Sequence, residues 1–396
     1  MKVLVINCGS SSLKYQLIDS DTEAVLAKGI CERIKLDGEL THQTRDKEKI
    51  HIKADMPDHS AAVRLVIEML LDKENGAISN LSEIEAIGHR VVHGGEKFAG
   101  SAVIDDEVMK AIEDCCELAP LHNPANLIGI QACKELMKDV PQVAVFDTAF
   151  HQTMPEEAYI YGIPYEYYEK YKIRRYGFHG TSHSFVSSRA AEILGKKYED
   201  TRIIVCHLGG GSSISAVKNG KSIDTTMGLT PLEGIPMGTR SGNIDPSIIE
   251  YIAHKDNLSI DEVMDILNKK SGVYGISGKS SDFRDLEAGI AEGDKRCMIA
   301  VDVFCYQIAK VVGGYIAAMN GVDAIVFTAG VGENNARVRS LVCNRFEYMG
   351  VKIDEENNKQ RGTEIRISTE DSSVPVYVIP TNEELAIARE TVRLTR

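Results

Sequence analysis

The feature that most constrains this chain is a local pattern that occurs twice. Residues 3–19 read VLVINCGSSSLKYQLID, and residues 203–218 read IIVCHLGGGSSISAVK. Each copy is an apolar strand, a Gly/Ser turn and a second strand of alternating character. The copies lie about two hundred residues apart in a chain of 396, so they favour two duplicated domains. Two unrelated hairpins are the alternative, because Gly/Ser turns are common.

The segments around the repeats alternate between strand and helix patterns. EAIGHRVVHGG (85–95) and QVAVFDTAF (142–150) are predicted strands that end in polar residues. Between them, DDEVMKAIEDCCEL places four side chains on one helical face: Val108, Met109, Ile112 and Cys116. This alternation indicates α/β architecture, and the length of the chain predicts two or three domains.

Charge and cysteine content exclude several classes of protein. The net charge of −13 argues against a nucleic-acid or polybasic membrane surface, since both need clustered positive charge. The nine cysteines form no CxxC motif, which predicts reduced thiols in the cytoplasm. The longest apolar stretch, 298–319, contains Asp302, Gln307 and Lys310 and is therefore predicted to be a core helix. We expect a soluble cytoplasmic protein with neither nucleic-acid nor membrane partners.

Glycine-rich turns indicate phosphate binding, because their backbone amides approach phosphate oxygens without an intervening side chain. SGVYGISGKSS (271–281) is not a P-loop, since Val273 stands where that motif requires glycine. In DAIVFTAGVGENN (323–335), an apolar strand leads into Gly330-Val-Gly332 and then a predicted helix, an arrangement that brings backbone close to a nucleotide. With the two hairpins, the chain has three turns of this type.

Two histidines in YGFHGTSH (176–183) permit two interpretations. His179 and His183 have the i, i+4 spacing of a helical zinc site, but the segment lacks the glutamate of HExxH. We expect instead that Thr181 or Ser182 caps the following helix. His179 then precedes a helix N-terminus, where the local field favours an anion, and His183 is structural.

Two arginines and one aspartate are candidates for chemistry on an anion. Arg90 in GHRVVHGG and Arg240 in GTRSGN are flanked by glycines that let a ligand approach closely. A guanidinium group donates two parallel hydrogen bonds to a carboxylate or phosphoryl group. Asp147 ends the strand VAVFD, a position at the opening edge of a parallel sheet. On residue pattern alone, surface arginines and a turn-capping aspartate are the alternatives.

Six motifs taken together resemble the acetate kinase family: NCGSSSLKY (7–15), GHRVVHGGE (88–96), GFHGTSH (177–183), HLGGGSS (207–213), MGTRSGNIDP (237–246) and GVGEN (330–334). They follow the family's order along essentially the whole chain. The resemblance implies an α/β fold of two duplicated βββαβαβα domains, actin/hexokinase-like and ribonuclease H-like, around a nucleotide cleft. It implies an N-terminal acetokinase domain at 1–150 plus 385–396 and a nucleotide-binding domain at 151–384. It also implies a homodimer that transfers a phosphoryl group reversibly from MgATP to acetate, giving acetyl phosphate and ADP.

The resemblance also assigns roles to individual residues. Catalysis falls to Asp147, Arg90, His179 and Arg240. In this assignment His179 donates a hydrogen bond to the phosphoryl group, and Asp147 orients a group, handles a proton or helps to hold magnesium. Substrate binding falls to Arg90 and an apolar patch: Val92, Leu121, Phe178 and Pro231. Nucleotide binding falls to Lys14, His207, Leu208, Gly209, Gly210, Gly211, Asp282, Phe283, Arg284, Gly330, Val331, Gly332, Glu333 and Asn334. Mg²⁺, or Mn²⁺ in its place, is associated with Asn7 and Glu383, with the adjacent Glu384 as the alternative.

One departure from the family concerns Gly210, where many members carry asparagine, so that a side-chain amide near the nucleotide phosphates is missing. The apolar patch predicts a preference for acetate, because one methylene in such a pocket decides about 1–3 kcal/mol. A propionate or butyrate kinase with a wider pocket is one alternative. A nucleotide-switched ATPase of the same superfamily is the other.

Overall fold

The two predicted hairpins fall in two different units of the computed structural model, which describes residues 1–120 and 122–396. The first unit comprises Met1–Gln152 and Asn382–Arg396, and the second comprises Thr153–Thr381. Leu121, predicted to bind substrate, lies outside the described residues.

Among its described residues, the N-terminal part of the first unit contains eight strands and three helices. The strands are β1 (Lys2–Cys8), β2 (Leu13–Asp19), β3 (Ala24–Glu32), β4 (Glu39–Thr44), β5 (Ile50–Lys53), β6 (Ala86–Val91), β7 (Ala102–Val103) and β8 (Gln142–Phe146). The helices are α1 (His59–Leu70), α2 (Asp106–Asp114) and α3 (Asn123–Leu136), with 3₁₀ turns at Leu81–Glu83 and Ala149–Thr153.

The second unit contains the remaining strands and all but one of the remaining helices. The strands are β9 (Arg202–Leu208), β10 (Ser212–Lys218), β11 (Lys221–Thr225), β12 (Ala324–Thr328), β13 (Ile365–Arg366) and β14 (Val376–Val378). The helices are α4 (Glu156–Tyr159), α5 (Glu166–Tyr171), α6 (Gly180–Ile193), α7 (Ser247–Asp256), α8 (Ile260–Lys269), α9 (Gly272–Ser277), α10 (Phe283–Ala291), α11 (Lys295–Met319), α12 (Ala329–Asn334), α13 (Ala336–Cys343) and α14 (Glu355–Asn358). Short 3₁₀ turns lie at Tyr198–Asp200 and Asn344–Met349, and the last helix, α15 (Glu383–Thr395), belongs to the first unit.

The two sheets share one topology, which confirms the predicted duplication. The first sheet has the order β5-β4-β3-β2-β1-β6-β8-β7, and the second has the order β11-β10-β9-β12-β14-β13. In each, a three-stranded antiparallel meander is extended by two parallel strands: β3-β2-β1 then β6-β8, and β11-β10-β9 then β12-β14. The predicted strand 13–19 has the observed bounds, and the Gly/Ser turn joins the first two strands of each meander.

The last helix of each repeat is contributed by the other half of the chain. Helix α15, which follows β14 in sequence, packs Ile387 and Ala388 against β1 and β8 of the first unit. Helix α6, which follows β8, packs Val186 and Ala190 against β9 and β12 of the second unit. The units therefore divide at 381/382, whereas the sequence predicted a division at 384/385. Glu383 lies in the first unit because the apolar face of α15 covers that sheet.

Helix α11 is a core helix of the second unit, as predicted. Among the described residues, one helix, α11, is long and apolar enough to cross a membrane, judged by length and composition alone. Ten of its residues are buried, among them Phe304, Ile308 and Val312, and they pack against β9, β10 and β12. These ten side chains form the face of α11 that the second unit covers, whereas Ile299 and Tyr306 are exposed.

Gly88 in β6 tests the packing of α15. A Cβ atom at Gly88 would clash with Thr391 Oγ1 and come within 2.6 Å of Ile387 Cγ2. We expect Gly88→Ala to lower the free energy of unfolding by about 1–3 kcal/mol, because α15 must move away from the sheet. Chemical denaturation measures the effect. Gly100→Ala is the control, since nothing lies within 4 Å of a Cβ there; equal stability of the two variants would contradict the close packing.

His89 in β6 predicts a pH dependence of stability. Its Nε2 lies 2.7 Å from Gln142 Oε1, and burial lowers the pKa of His89 from 6.5 to about 4. Between these values the unfolded chain binds a proton that the folded chain does not, so stability is lost as pH falls from 6.5 toward 4. Relative to His89→Gln, which has no titrating group, the wild type should lose about 3 kcal/mol over this window. Denaturant titrations at several pH values check this, and parallel pH curves would contradict it.

Candidate active site

In the first unit, Asn7 and Lys14 flank the Gly/Ser turn of the β1–β2 hairpin. They are directly opposite each other in the antiparallel register, so their side chains project to the same face. The turn is closed by a hydrogen bond from Gly9 N to Ser12 O of 2.8 Å. His59, the first residue of α1, contacts Gly9 O through Nε2 at 2.7 Å. Helix α1 therefore holds the turn in place.

Arg90 and Asp147 form a bidentate ion pair at the ends of neighbouring parallel strands. Arg90 Nε donates to Asp147 Oδ1 at 3.0 Å, and Arg90 Nη2 donates to Asp147 Oδ2 at 2.6 Å. The Asp147 side chain is 2% exposed and that of Arg90 is 23% exposed, so the pair is largely withdrawn from water. Arg90 Nη1 donates to Asn7 Oδ1 at 3.4 Å. The structure thus brings together three residues that the sequence identified separately.

Glu383, the first residue of α15, adds a second carboxylate beside Arg90. Its Oε2 lies 4.0 Å from Arg90 Nε. Burial raises the pKa of Glu383, and although Arg90 opposes this, the charge of Asp147 adds to it. Burial works against the charge of Arg90, but Asp147 and Glu383 outweigh it and raise the pKa of Arg90. Two carboxylates share one guanidinium group here, so a further cation would stabilise the cluster.

In the second unit, helix α6 begins at Gly180 with His179 as its N-cap. The predicted cap at Thr181 or Ser182 is wrong, because both lie inside the first turn and the Ser182 hydroxyl contacts His207 Nδ1 at 2.8 Å instead. His179 makes no side-chain capping bond and has left-handed backbone angles, φ 57° and ψ 24°. A residue other than glycine in this region is strained, and such strain is found at functional sites.

Two histidines contact the hydroxyl of Ser213 in β10, and a third, His207, stacks on one of them. His179 Nδ1 lies 2.9 Å and His183 Nε2 lies 2.7 Å from Ser213 Oγ. The rings of His179 and His207 stack with centroids 4.1 Å apart and planes inclined by 22°. The two histidines of the GFHGTSH motif therefore share a serine from the HLGGGSS motif.

The glycine turn Gly209–Gly211 lies against Arg240 and His179. A Cβ atom at Gly211 would come within 3.3 Å of Arg240 Nη1 and 3.6 Å of His179 Nε2. Gly238 N donates to Gly210 O at 3.2 Å, which connects the loop of Arg240 to the turn. A larger residue at 211 would therefore press on both side chains.

Arg240 differs from Arg90 because no carboxylate neutralises it. Its Nη1 donates to Pro231 O at 3.1 Å, and in the described part of the chain no acidic side chain forms an ion pair with it. Burial lowers the pKa of Arg240. A partly buried guanidinium without a counter-ion is prepared to bind an anion, since the anion would offset the cost of desolvation.

Two further groups of residues predicted to bind nucleotide lie in α12 and at the start of α10. Gly330 and Gly332 lie inside α12, whereas the sequence placed the helix after them. The Glu333 carboxylate accepts a hydrogen bond from Ala329 N at 2.8 Å, so it fixes the start of α12. Phe283 packs in the core against Phe304, with ring centroids 4.9 Å apart.

At the start of α10, the Asp282 carboxylate accepts a hydrogen bond from Arg284 N at 2.8 Å and pairs with the exposed Arg284 side chain. This pair lies on the surface. Among the residues predicted to contact the acetate methyl, Val92 and Phe178 are buried and Pro231 is partly exposed.

Several residues around the site were not identified from the sequence. Ser213 stands in a quoted motif, but nothing in its spacing indicated that it contacts two histidines. Arg339 is fully buried and donates from Nη1 to Gly332 O at 2.9 Å. Glu233 follows Pro231 closely, yet its ion pair with Arg175 joins residues far apart in sequence. A loop glutamate carries no local signal of such a contact.

Glycine turns, an uncompensated arginine and histidine nitrogens lie together on one of two α/β units of the same topology. This combination defines an enzyme of the phosphoryl-transfer class, in which backbone amides and cationic donors hold anionic groups.

The chain belongs to the acetokinase family, whose sequence profile matches residues 2–389, and this confirms the resemblance seen in the motifs. It is 64% identical over 394 residues to an acetate kinase of Lachnoclostridium phytofermentans, covering 100% of both chains. The crystal structure of Porphyromonas gingivalis acetate kinase is 48% identical with a TM-score of 0.97, covering 100% of both chains. The crystal structure of a propionate kinase from Francisella tularensis is 43% identical with a TM-score of 0.93, covering 99% of each chain.

Gly210 gives a prediction about the glycine turn. No atom lies within 4 Å of a Cβ built there, and its φ is not positive. We expect Gly210→Asn to fold with a melting temperature within about 2 °C of the wild type and to lower the KM for ATP, because it adds an amide donor beside the turn. Steady-state kinetics and thermal denaturation check this. Gly211→Asn is the comparison variant, since a side chain at that position would meet Arg240 and His179. An unchanged ATP KM in Gly210→Asn would contradict a contact between position 210 and the nucleotide.

Proposed function

We propose that this protein catalyses the reversible transfer of a phosphoryl group from ATP to acetate, forming acetyl phosphate and ADP. The observation that carries the proposal is the 64% identity to an acetate kinase over the full length of both chains. Propionate is the second candidate acceptor, because a propionate kinase is also similar over 99% of its length.

In this reaction, an acetate oxygen forms a bond to the γ-phosphorus while the bond from that phosphorus to the bridging oxygen of ADP breaks. Two anions must approach each other, so catalysis needs positioning and positive hydrogen-bond donors. Arg240 suits the transferring group, because no carboxylate of the described residues pairs with its guanidinium and Nη1 lies beside the glycine turn. Its planar donors match the equatorial oxygens of a phosphoryl group.

His179 is proposed to donate a hydrogen bond to the same group through Nε2. The single hydroxyl proton of Ser213 can go to only one of its two histidine contacts. When His183 Nε2 donates to Ser213, and Ser213 donates to His179 Nδ1, a neutral His179 carries its proton on Nε2. That nitrogen is on the side of Gly211, in the glycine turn.

Arg90 is proposed to bind the acetate carboxylate, and Asp147 is proposed to orient Arg90. Asp147 occupies the Nε and Nη2 edge of the guanidinium, which leaves the Nη1 donors, directed toward Asn7, and the second N–H of Nη2 for a substrate. The bidentate pair fixes the plane of the guanidinium, so a substrate bound at Nη1 would have a defined orientation. The apolar side chains of Val92, Phe178 and Pro231 are proposed to contact the acetate methyl.

Mg²⁺, or Mn²⁺ in its place, fits the chemistry of the first-unit cluster. The Asn7 amide and the Glu383 and Asp147 carboxylates are hard oxygen donors of the kind these ions prefer. Burial and the neighbouring charge of Asp147 both raise the pKa of Glu383, which is the condition a divalent cation would relieve. Such an ion would neutralise phosphate charge. Asn7 and Glu383 are proposed to hold it, directly or through water, and Glu383 is favoured over Glu384 because it is the one beside Arg90.

ATP and ADP are proposed to bind along the second unit at Gly209–Gly211 and Gly330–Asn334, with Lys14 on the side of the phosphates. A homodimer is also proposed, and the exposed side chains of Tyr165, Tyr171 and Tyr306 support it, since aromatic residues are enriched at protein interfaces. All nine cysteines are free, which supports a reducing cytoplasmic setting.

The acceptor is tested by trapping the acyl phosphate with hydroxylamine in the presence of MgATP and acetate, propionate or butyrate. We expect kcat/KM for acetate to exceed that for propionate by at least severalfold, because one extra methylene decides roughly 10–200-fold in a small pocket. Val92→Ala should narrow this gap without changing the ATP KM. Val91→Ala is the matched control, since Val91 is the last residue of β6, directly before Val92, and packs in the core. A preference for butyrate would contradict the pocket, and ATP hydrolysis without any hydroxamate would indicate the ATPase alternative.

Arg240→Lys tests the transferring-group contact. The substitution keeps the charge but loses the fork of donors, so turnover should fall roughly 10²–10³-fold, comparable with removal of one oxyanion donor. Arg189→Lys is the control, because Arg189 is a surface arginine paired with Glu364. Turnover of Arg240→Lys within about threefold of the wild type would remove Arg240 from the site.

A further inference from the structure

The segment from Thr226 to Gly234 has no helix or strand, yet it is held by a network of polar side chains. Arg175 Nη2 donates to Glu233 Oε1 at 2.7 Å, and Arg175 Nη1 donates to Thr226 O at 3.0 Å. The Tyr161 hydroxyl donates to Glu233 Oε2. We call the side chains of Tyr161, Arg175 and Glu233 the loop anchor.

The loop anchor is largely out of water and its charges are matched. The Arg175 side chain is 19% exposed and that of Glu233 is 27% exposed. Burial by itself lowers the pKa of Arg175, but the charges around it, Glu233 first among them, together raise that pKa above its ordinary value. Burial, and then the charge of Glu233, raise the pKa of Tyr161, so its hydroxyl stays protonated and donates. The same hydroxyl accepts from Leu229 N at 2.9 Å.

The loop held in this way contacts two parts of the proposed site. Gly228 O accepts hydrogen bonds from Tyr176 N at 3.1 Å and Gly177 N at 3.3 Å, directly before Phe178. Pro231 O accepts from Arg240 Nη1 at 3.1 Å. One irregular loop therefore sets the backbone that carries Phe178 and one of the contacts that orient Arg240.

The chain passes the anchor so closely that a side chain at Gly228 would displace Glu233 and Tyr161. A Cβ atom at Gly228 would overlap Glu233 Oε2 and the Tyr161 hydroxyl. In this conformation of the loop, Glu233 meets both Tyr161 and Arg175. Gly228 O and Pro231 O are placed where they accept from Tyr176 N, Gly177 N and Arg240.

We propose that Tyr161 and Glu233 are positioning residues that determine acid specificity, because they fix the loop on which Phe178 and Arg240 depend. This rests on the proposed function in one respect, the placement of the acetate methyl beside Phe178 and Pro231. Neither Tyr161 nor Glu233 touches the reacting atoms in this proposal. They act through Gly228 O and Pro231 O.

Tyr161→Phe is the test, since it removes one hydroxyl and keeps the ring. We expect the KM for acetate to rise about tenfold and the acetate-to-propionate ratio of kcat/KM to fall, with the ATP KM changed less than twofold. Tyr198→Phe is the matched control. Like Tyr161→Phe, this variant removes a tyrosine hydroxyl that takes part in a hydrogen bond. The partner of Tyr198 is the Ser187 hydroxyl at 2.6 Å, and Tyr198 lies away from the loop. The control should have unchanged KM values and an unchanged ratio.

A double variant distinguishes an effect of the loop anchor on acetate binding from an effect of lower overall stability. Glu233→Gln should raise the acetate KM as Tyr161→Phe does, and Tyr161→Phe/Glu233→Gln should be no worse than the poorer single variant, because both act through one contact. Additive effects, or equal KM changes in Tyr161→Phe and Tyr198→Phe, would overturn the proposal. So would a normal acid preference in Tyr161→Phe. Failure of the proposed function has a different signature, the absence of any hydroxamate from the wild type.

Discussion

Arginines that are wholly or partly withdrawn from water organise this protein, and they differ in how their charge is compensated. A guanidinium group withdrawn from water is costly unless hydrogen bonds or an opposite charge replace its hydration. Arg339 is satisfied by backbone carbonyls and Asn358, and burial lowers its pKa to about 10. Arg90 is satisfied by Asp147, whereas Arg240 has a carbonyl but no carboxylate. Arg339 therefore builds structure, Arg90 is held in a fixed plane by Asp147, and Arg240 keeps capacity for an anion.

The ion pair of Arg90 depends in turn on how the first unit is assembled. Asp147 reaches Arg90 because β6 and β8 are adjacent parallel strands whose ends coincide. Glu383 reaches it because α15 packs on the same sheet, and that packing is possible because Gly88 leaves room for Ile387. The electrostatics of the cluster thus rest on an apolar contact between a strand and a helix from the far end of the chain.

In the second unit, segments without helix or strand position the proposed site residues. The strained backbone of His179, the glycine turn after β9 and the loop from Thr226 to Gly234 contain little regular structure. Hydrogen bonds to Ser213 and Glu233 hold them in place. Loops fixed from behind by buried polar side chains can present backbone and cationic groups to a ligand without large reorganisation, which electrostatic catalysis requires.

The sequence by itself determined the duplicated α/β plan, the bounds of strands such as 13–19, the core helix and the family. These follow from hydrophobic periodicity and turn chemistry, which are local properties of a chain. It also identified Arg90, Asp147 and Arg240 as chemical candidates. It could not find the N-cap at His179, or show that Arg90 is paired with a carboxylate while Arg240, among the described residues, is not. Those were decided by tertiary structure, because burial and ion pairing depend on which distant segments pack together, and a local pattern does not contain that information.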